Sequence, residues 1–252
     1  MTDASLGAQA EILKLARVLG DGPQRFTYLE RVDPLDLQLL REQITDVLFD
    51  ADLAALQRMA TASKLLPSPM LAKIAERVFG PLLCARLAGV MDASRSIDVA
   101  KRLTPAFLAD VSVQLDPRRS SKIIAGIPVR TVAAVAAELT RREDWITIGR
   151  FVGHIPDATM AASIEVIPNA AFLQVAFVLD DKSRVGRIVG LLPQRRFEGL
   201  MKTAAEHDLW SLMLDLLNHL RPDKRAALVA EFAALPAEQR ARAPQSMIKQ
   251  IR

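Results

Sequence analysis

The sequence has few of the residues that usually mark a catalytic or metal-binding site. Among 252 residues there are three histidines and one cysteine, Cys84, and aromatic residues make up only 5% of the chain. A single cysteine cannot form an intrachain disulfide, so nothing indicates an oxidising compartment. The sequence contains no paired-cysteine, HExxH, GxSxG, P-loop or GxGxxG motif. We therefore expect a protein that is not an enzyme and that has no cofactor and no metal site.

Long apolar runs are also missing. No run approaches the length of about 18 residues that a membrane-spanning helix needs. The N-terminal residues include acidic side chains and lack a basic segment followed by a long apolar core, which argues against a secretory signal. These features lead us to expect a cytoplasmic protein without a transmembrane segment. Half of the residues are hydrophobic, and the net charge of +4 permits acidic partners without requiring them.

Regularly spaced prolines form the strongest pattern in the chain. Leu103-Thr104-Pro105, Leu115-Asp116-Pro117 and Ile127-Pro128 place an aliphatic anchor every twelve residues. Ser, Thr, Asp, Asn or Pro follows nearly every anchor, and these residues favour the first positions of a helix. The pattern has a four-residue slip after Leu139. The full set of anchors is Phe79, Met91, Leu103, Leu115, Ile127, Leu139, Ile155, Ile167, Leu179 and Leu192.

The twelve-residue spacing predicts a series of short helices. One continuous helix is excluded, because twelve residues turn the anchor by about 120° and interior prolines break a helix. The eighth position after an anchor is usually aliphatic, and we expect Val111, Ile123, Val135 and Val175 to be buried. The ninth position is often small. Helices this short are stable only when packed, so the predicted fold is an all-α solenoid of antiparallel hairpins, with about 12 residues per helix and about 24 per hairpin.

The spacing also suggests a division of the chain. Residues 1–66 do not follow the twelve-residue pattern and are interpreted as a helical cap. Residues 67–240 form the predicted repeat domain, which begins at a Pro-Ser-Pro break. Residues 241–252 are interpreted as a basic C-terminal tail.

Repeated Leu/Ile-Pro units at this spacing resemble a known family. The matching segments are "IPDATMAASIEVIPNAAFLQVAFVLDD", "LLPQRRFEGLM" and "ALPAEQRARA", within residues 79–241. They resemble the cytoplasmic N-terminal domain of MgtE-type magnesium transporters, a bacterial family, and the similar helical repeats of the flagellar motor switch protein FliG. The resemblance implies a fold and not an activity. Carboxylates of that family help to sense magnesium, whereas arginines stand at the corresponding helix starts here, so no magnesium-binding residue is inferred.

Arginines recur three or four positions after the anchors of alternate units. This set, which we call the arginine ridge, consists of Arg95, Arg118, Arg119, Arg142, Arg195 and Arg196. Alternate units of a solenoid are the same helix of successive hairpins, so these side chains are predicted to be exposed along one surface. They are either solvent-facing arginines or a surface that binds an acidic partner. Trp145, beside the four-residue slip, is either a core residue or a contact residue of the same partner.

One further pair of residues has metal-ligand spacing. Asp215 and His219 are four residues apart and therefore on one face of a helix, but no third ligand is apparent. We interpret them as a local pair, and Cys84 as a small buried residue.

Three functions remain open. The first is a non-enzymatic interaction module or scaffold that binds another macromolecule, with a protein as the expected partner and an anionic membrane surface as another possible one. The second is a solenoid that binds nucleic acid through the arginine ridge, although aromatic residues for base stacking are few. The third is a carrier of an apolar small molecule held between helix layers. The sequence does not predict the oligomeric state.

Overall fold

The computed structural model describes residues 3–50, 52–245 and 247–248, with side chains described from Leu6 onward, and regular structure in this part is entirely helical. The predicted all-α class is confirmed. The α-helices of the described residues are α1 (Asp3–Leu19), α2 (Pro34–Asp50), α3 (Leu53–Ser63), α4 (Ser68–Ile74), α5 (Gly80–Ala88), α6 (Ala93–Ala100), α7 (Pro105–Gln114), α8 (Ser121–Gly126), α9 (Val129–Arg141), α10 (Trp145–Phe151), α11 (Asp157–Glu165), α12 (Asn169–Phe177), α13 (Val185–Gly190), α14 (Arg195–Glu206), α15 (Trp210–Asn218), α16 (Pro222–Ala234) and α17 (Ala237–Ala241).

Helix boundaries follow the twelve-residue pattern. A boundary lies within two residues of every anchor from Phe79 to Leu192, including Leu139. There the four extra residues lengthen α9, which reaches Arg141 and contains 13 residues. Side chains at two of the predicted caps act as expected: Asp92 accepts a hydrogen bond from the Ser94 amide at 3.0 Å, and Thr104 accepts one from the Phe107 amide at 3.4 Å.

Most of the helices from α3 to α16 stack in two layers, in which a helix packs against the next but one along the chain, whereas α15 packs against α12 and α14. The first layer contains α3, α5, α7, α9 and α11, and the second contains α4, α6, α8, α10, α12, α14 and α16. In the second layer, α8 contacts the 3₁₀ turn Val152–His154 that continues α10. This arrangement is the predicted solenoid, in which each short helix gains its stability from the helices on either side.

The core is continuous in the C-terminal part and divided in the preceding part. Phe197, Leu200 and Met213 are fully buried in one large cluster that extends back to α7. Around α5, α6 and α8, the buried residues instead form separate small clusters. The prediction for the eighth positions is confirmed for Val111, Ile123 and Val175, which are buried, whereas Val135 is half-buried.

The N- and C-terminal segments are joined to these layers. Helix α1 packs through Leu6 and Ala10 against Phe177 and Val178 at the end of α12. Within the predicted basic tail, Met247 is fully buried and belongs to the large core cluster. The described segments contain no helix that is both long and apolar enough to cross a membrane.

Candidate functional site

A cavity of about 210 Å³ lies between the two helix layers. Its wall begins at Ser63 near the end of α3 and reaches Leu216 on α15, so it runs along several stacked hairpins. Aliphatic, Phe, Met and small side chains make up nearly all of the wall. No charged side chain of the described residues lines it.

The twelve-residue pattern builds this wall directly. All nine anchors from Phe79 to Leu179 line the cavity, and so do the aliphatic residues at the eighth position, which are Leu87, Val99, Val111, Ile123, Val135 and Val175. The small ninth-position residues also line it: Ala88, Ala100, Ser112, Ala136 and Ala176. Equivalent positions of stacked units face the same space. The ninth position is often a small residue in the helices of both layers, and this leaves room between the layers. The cavity is therefore a consequence of the repeat and not of one irregular unit.

The serines of the wall differ in their hydrogen bonding. Ser63, Ser112 and Ser163 each donate to a carbonyl of their own helix, at 2.7 Å, 2.8 Å and 2.9 Å. Ser96 on α6 is also buried, with 8% of its surface exposed. Its hydroxyl has no hydrogen-bond partner among the described residues. Ser96 is therefore a polar group of the cavity that the protein itself leaves unsatisfied.

Cys84 also lines the cavity, where it acts as an apolar group. Its sulfur lies 3.7 Å from the Ala75 carbonyl oxygen. Burial raises the pKa of the Cys84 thiol to about 11, so the thiol is neutral at physiological pH. Since the thiolate is the nucleophilic form, this cysteine is not activated for covalent catalysis.

Two members of the arginine ridge hold the end of an earlier helix. Arg95 in the first turn of α6 donates to the carbonyl oxygens of Ser63, at 2.5 Å, and of Leu66. Arg196 in the first turn of α14 donates in the same way to Ile164, at 3.5 Å, and to Ile167, at 2.9 Å. In both cases the acceptors lie 32 and 29 residues earlier in the chain. The arginines supply donors to the carbonyls of Leu66 and Ile167, which follow the helix ends, and add a second donor to the carbonyls of Ser63 and Ile164, which also accept from the amides of Leu66 and Ile167.

Three other ridge arginines pair with carboxylates. Arg118 and Arg119 both contact Asp46 on α2 at 3.1 Å, and Arg119 also stacks over the Phe49 ring at 4.2 Å. Arg142 contacts Asp110 on α7 at 2.5 Å. These contacts join α2 to the start of α8, and α9 to α7, while they balance the positive charge of the ridge.

The expected exposure of the ridge is therefore wrong at several positions. Arg95, Arg142 and Arg196 are half-buried because their long side chains lie back across the preceding helices. Arg195 is the most exposed of the ridge residues that form ion pairs, at 74% of its side chain, and lies 3.4 Å from Glu165. Trp145 is half-buried and packs against the core. Their predicted role in binding a partner stays a prediction.

We expect Arg196→Ala to lower the free energy of unfolding by about 1.5–3 kcal/mol, because hydrogen bonds made by a charged group are lost and the Ile167 carbonyl loses its donor. The neighbouring Arg195→Ala is the matched control, with little effect expected from a solvent-exposed ion pair. Urea denaturation of both variants measures the difference. Equal effects for the two variants would contradict the structural role of Arg196.

A group of four charges, three of them buried and one half-buried, joins the N-terminal helices to the repeat and was not found by the sequence analysis. Lys14 contacts Glu11 and lies 2.7 Å from Asp180, while Arg41 lies 3.2 Å from Glu11 and 2.9 Å from Asp180. We call these four residues the ionic cluster. The burial of Asp180 acts to raise its pKa, but attraction to Lys14 and Arg41 is stronger and lowers the pKa. The two positive and two negative charges balance, so the ionic cluster holds α1 and α2 against the end of α12.

The remaining candidate pair is also used within the protein. The Asp215 carboxylate accepts a hydrogen bond from Lys182 at 2.6 Å, and His219 Nδ1 lies 2.8 Å from the backbone oxygen of Asp215. Among residues 3–50, 52–245 and 247–248, no three His, Cys, Asp or Glu side chains are placed to hold a metal ion.

The resemblance to the MgtE-type domain stays a prediction based on the repeat. Comparisons of the chain with protein-family models, with curated proteins and with solved structures found no match.

Proposed function

We propose that the protein binds an uncharged, apolar small molecule in the cavity between its helix layers. The observation that carries this proposal is the cavity wall, which is almost entirely apolar and is supplied by the same positions of successive repeat units. A concave apolar space with a small number of polar groups is the usual form of a small-molecule site. This is the carrier function that the sequence left open.

The size of the cavity supports the same proposal. Apolar cavities of about 150 Å³ in proteins stay dry and take up benzene, and this cavity of about 210 Å³ accommodates a somewhat larger molecule.

The wall also favours an uncharged occupant. No Lys, Arg or His of the described residues lines the cavity to balance an anion, and no Asp or Glu lines it to balance a cation. Burying an unpaired charge costs far more than apolar contacts supply. A fatty-acid carboxylate is therefore disfavoured inside the cavity, and the charged members of the arginine ridge lie outside it.

Cys84 provides a natural test, because it is the chain's only cysteine and lies in the wall. The purified protein is first extracted with organic solvent, and the extract is identified by mass spectrometry. The extracted protein is then treated with N-ethylmaleimide, with and without the identified compound or a short alkane, at an alkaline pH that raises the thiolate fraction of Cys84. We expect the occupant to slow the alkylation of Cys84, because it fills the space that the reagent must enter.

A single-cysteine variant supplies the control. In Cys84→Ser/Ala137→Cys the thiol stands at an exposed position of α9, so its alkylation should not respond to the apolar compound. If Cys84 and the control cysteine respond equally, the compound acts on the protein in general. If no apolar compound changes the Cys84 rate and the extract contains none, the proposed function is wrong.

Protein binding remains a second candidate, favoured by a different surface. Leu35, Leu39 and Val47 on α2 are 69%, 58% and 72% exposed, and Leu35 and Leu39 lie one turn apart on the same side of the helix. Clustered exposed apolar residues of this size are typical of interaction surfaces. Sedimentation of the wild type and of Leu39→Ser tests whether this face mediates self-association. If it does, the wild type should have a larger mass in solution than Leu39→Ser.

A further inference from the structure

Ser96 has the features of a ligand contact inside the cavity. It lies on α6 in the wall, its hydroxyl is buried, and no described residue bonds to it. A buried hydroxyl without a partner costs about 1–3 kcal/mol of desolvation. The other buried serines of this wall avoid that cost by bonding to a carbonyl of their own helix. A polar atom of a bound molecule would therefore supply the hydrogen-bond partner that the Ser96 hydroxyl lacks.

The location of Ser96 indicates how a bound molecule would be oriented in the cavity. Met91 lines the cavity and also a polar hollow of about 150 Å³ that contains Lys64, Asp92 and Arg95. The Ser96 end of the cavity is thus the end that adjoins polar surroundings, whereas the region near Leu216 is enclosed by the main core cluster. An elongated molecule with one polar end is best placed with that end at Ser96.

Arg95 also has an unpaired buried atom, its Nε, but this atom does not indicate an anion site. Arg196, in the equivalent position of a later unit, has the same unpaired Nε. Arg196 does not line the polar hollow, so the hollow is not the reason for the unpaired atom. The unpaired Nε is therefore a feature of the repeated arginine contact. Ser120, five residues after the anchor Leu115 as Ser96 is five after Met91, also has an unpaired buried hydroxyl, but it does not line the cavity. Ser96 is distinguished by its position in the cavity wall together with its missing partner.

We propose that Ser96 forms a hydrogen bond with the occupant, and that the ligand class is an apolar molecule with a single neutral oxygen function, such as an alcohol, a ketone or an ester. This inference rests on the proposed function, because it assigns the polar contact of the same cavity. A hydroxyl can donate to a carbonyl and can exchange hydrogen bonds with an alcohol. The absence of a cation from the described wall excludes the charged equivalent at this position.

The test uses two probes of similar shape, heptanol and octane, which differ in a terminal hydroxyl and a terminal methyl group. Their affinities are obtained from the dependence of the Cys84 alkylation rate on probe concentration. We expect Ser96→Ala to weaken heptanol binding about three- to tenfold and to leave octane binding the same or stronger, as the loss of one neutral hydrogen bond predicts. Ser112→Ala removes a hydroxyl that is already bonded within α7, so it should weaken heptanol binding less.

The possible outcomes separate the two proposals. If both probes protect Cys84 in the wild type and Ser96→Ala changes them equally, the cavity binds apolar molecules but the Ser96 contact is wrong. If neither probe protects Cys84, the proposed function fails, and the Ser96 contact fails with it. Circular dichroism of each variant verifies that it is folded, and Ser96→Thr, which keeps the hydroxyl, should retain the preference for heptanol.

Discussion

Glu11→Gln is expected to lower the free energy of unfolding by about 3–5 kcal/mol, the range for removing one partner of a buried ion pair. Glu11 contacts both cations of the ionic cluster, and the side chains of Glu11, Lys14 and Arg41 are 7%, 1% and 7% exposed. Glutamine keeps the shape but removes the charge. Lys14 and Arg41 would then share only Asp180, which leaves a net positive charge in a buried place.

The measurement is urea denaturation of the wild type and three variants. The matched control, Glu198→Gln, changes a carboxylate whose contact with Lys202 is solvent-exposed, so the midpoint should not move. The double variant Glu11→Gln/Lys14→Met restores the charge balance and should recover part of the stability that Glu11→Gln loses. If Glu11→Gln unfolds at the same urea concentration as Glu198→Gln, the ionic cluster is not a stabilising contact of the N-terminal helices.

The sequence could predict the helices and the composition of the cavity wall because both depend on local periodicity. The anchors mark the turns, and in most units the eighth and ninth positions after them face the cavity. The volume of the cavity could not be predicted, because it depends on how far apart the two layers stand. Small residues such as Ala100 and Ala136 permit either close packing or a space, and only the coordinates distinguish these outcomes.

The arginine ridge shows a different limit of sequence reasoning. The pattern located the arginines in the first turns of alternate helices, but an arginine side chain is long enough to reach an earlier helix. Arg95 and Arg196 contact carbonyls about 30 residues away in the chain. The ionic cluster was likewise not predictable, because it joins Glu11 and Lys14 to Asp180 through the packing of α1 on α12. The sequence contains only part of the signal for the ionic cluster, which is that charged residues stand at positions of α1 where the helical pattern predicts apolar ones.

Ala136→Leu should fill part of the cavity, with opposite effects on binding and stability. Ala136 lies on α9, is 8% exposed and lines the cavity, and leucine is also a good helix former. Filling a cavity commonly raises the free energy of unfolding by about 0.5–2 kcal/mol. The three added carbon atoms take the place of an equal part of the ligand. At about 0.8 kcal/mol per buried methylene, this loss of about 2 kcal/mol corresponds to about thirtyfold weaker binding.

Ala137→Leu is the control for this prediction, because it makes the same change at the next residue of α9, which is exposed. We expect it to affect neither the binding of octane nor the midpoint of urea denaturation. The affinity of each variant is measured by protection of Cys84 from alkylation, in parallel with denaturation. A general effect of leucine on α9 would change both variants alike. If Ala136→Leu instead binds octane as tightly as Ala137→Leu does, the ligand does not occupy the space beside Ala136, and the proposed site between the helix layers is wrong.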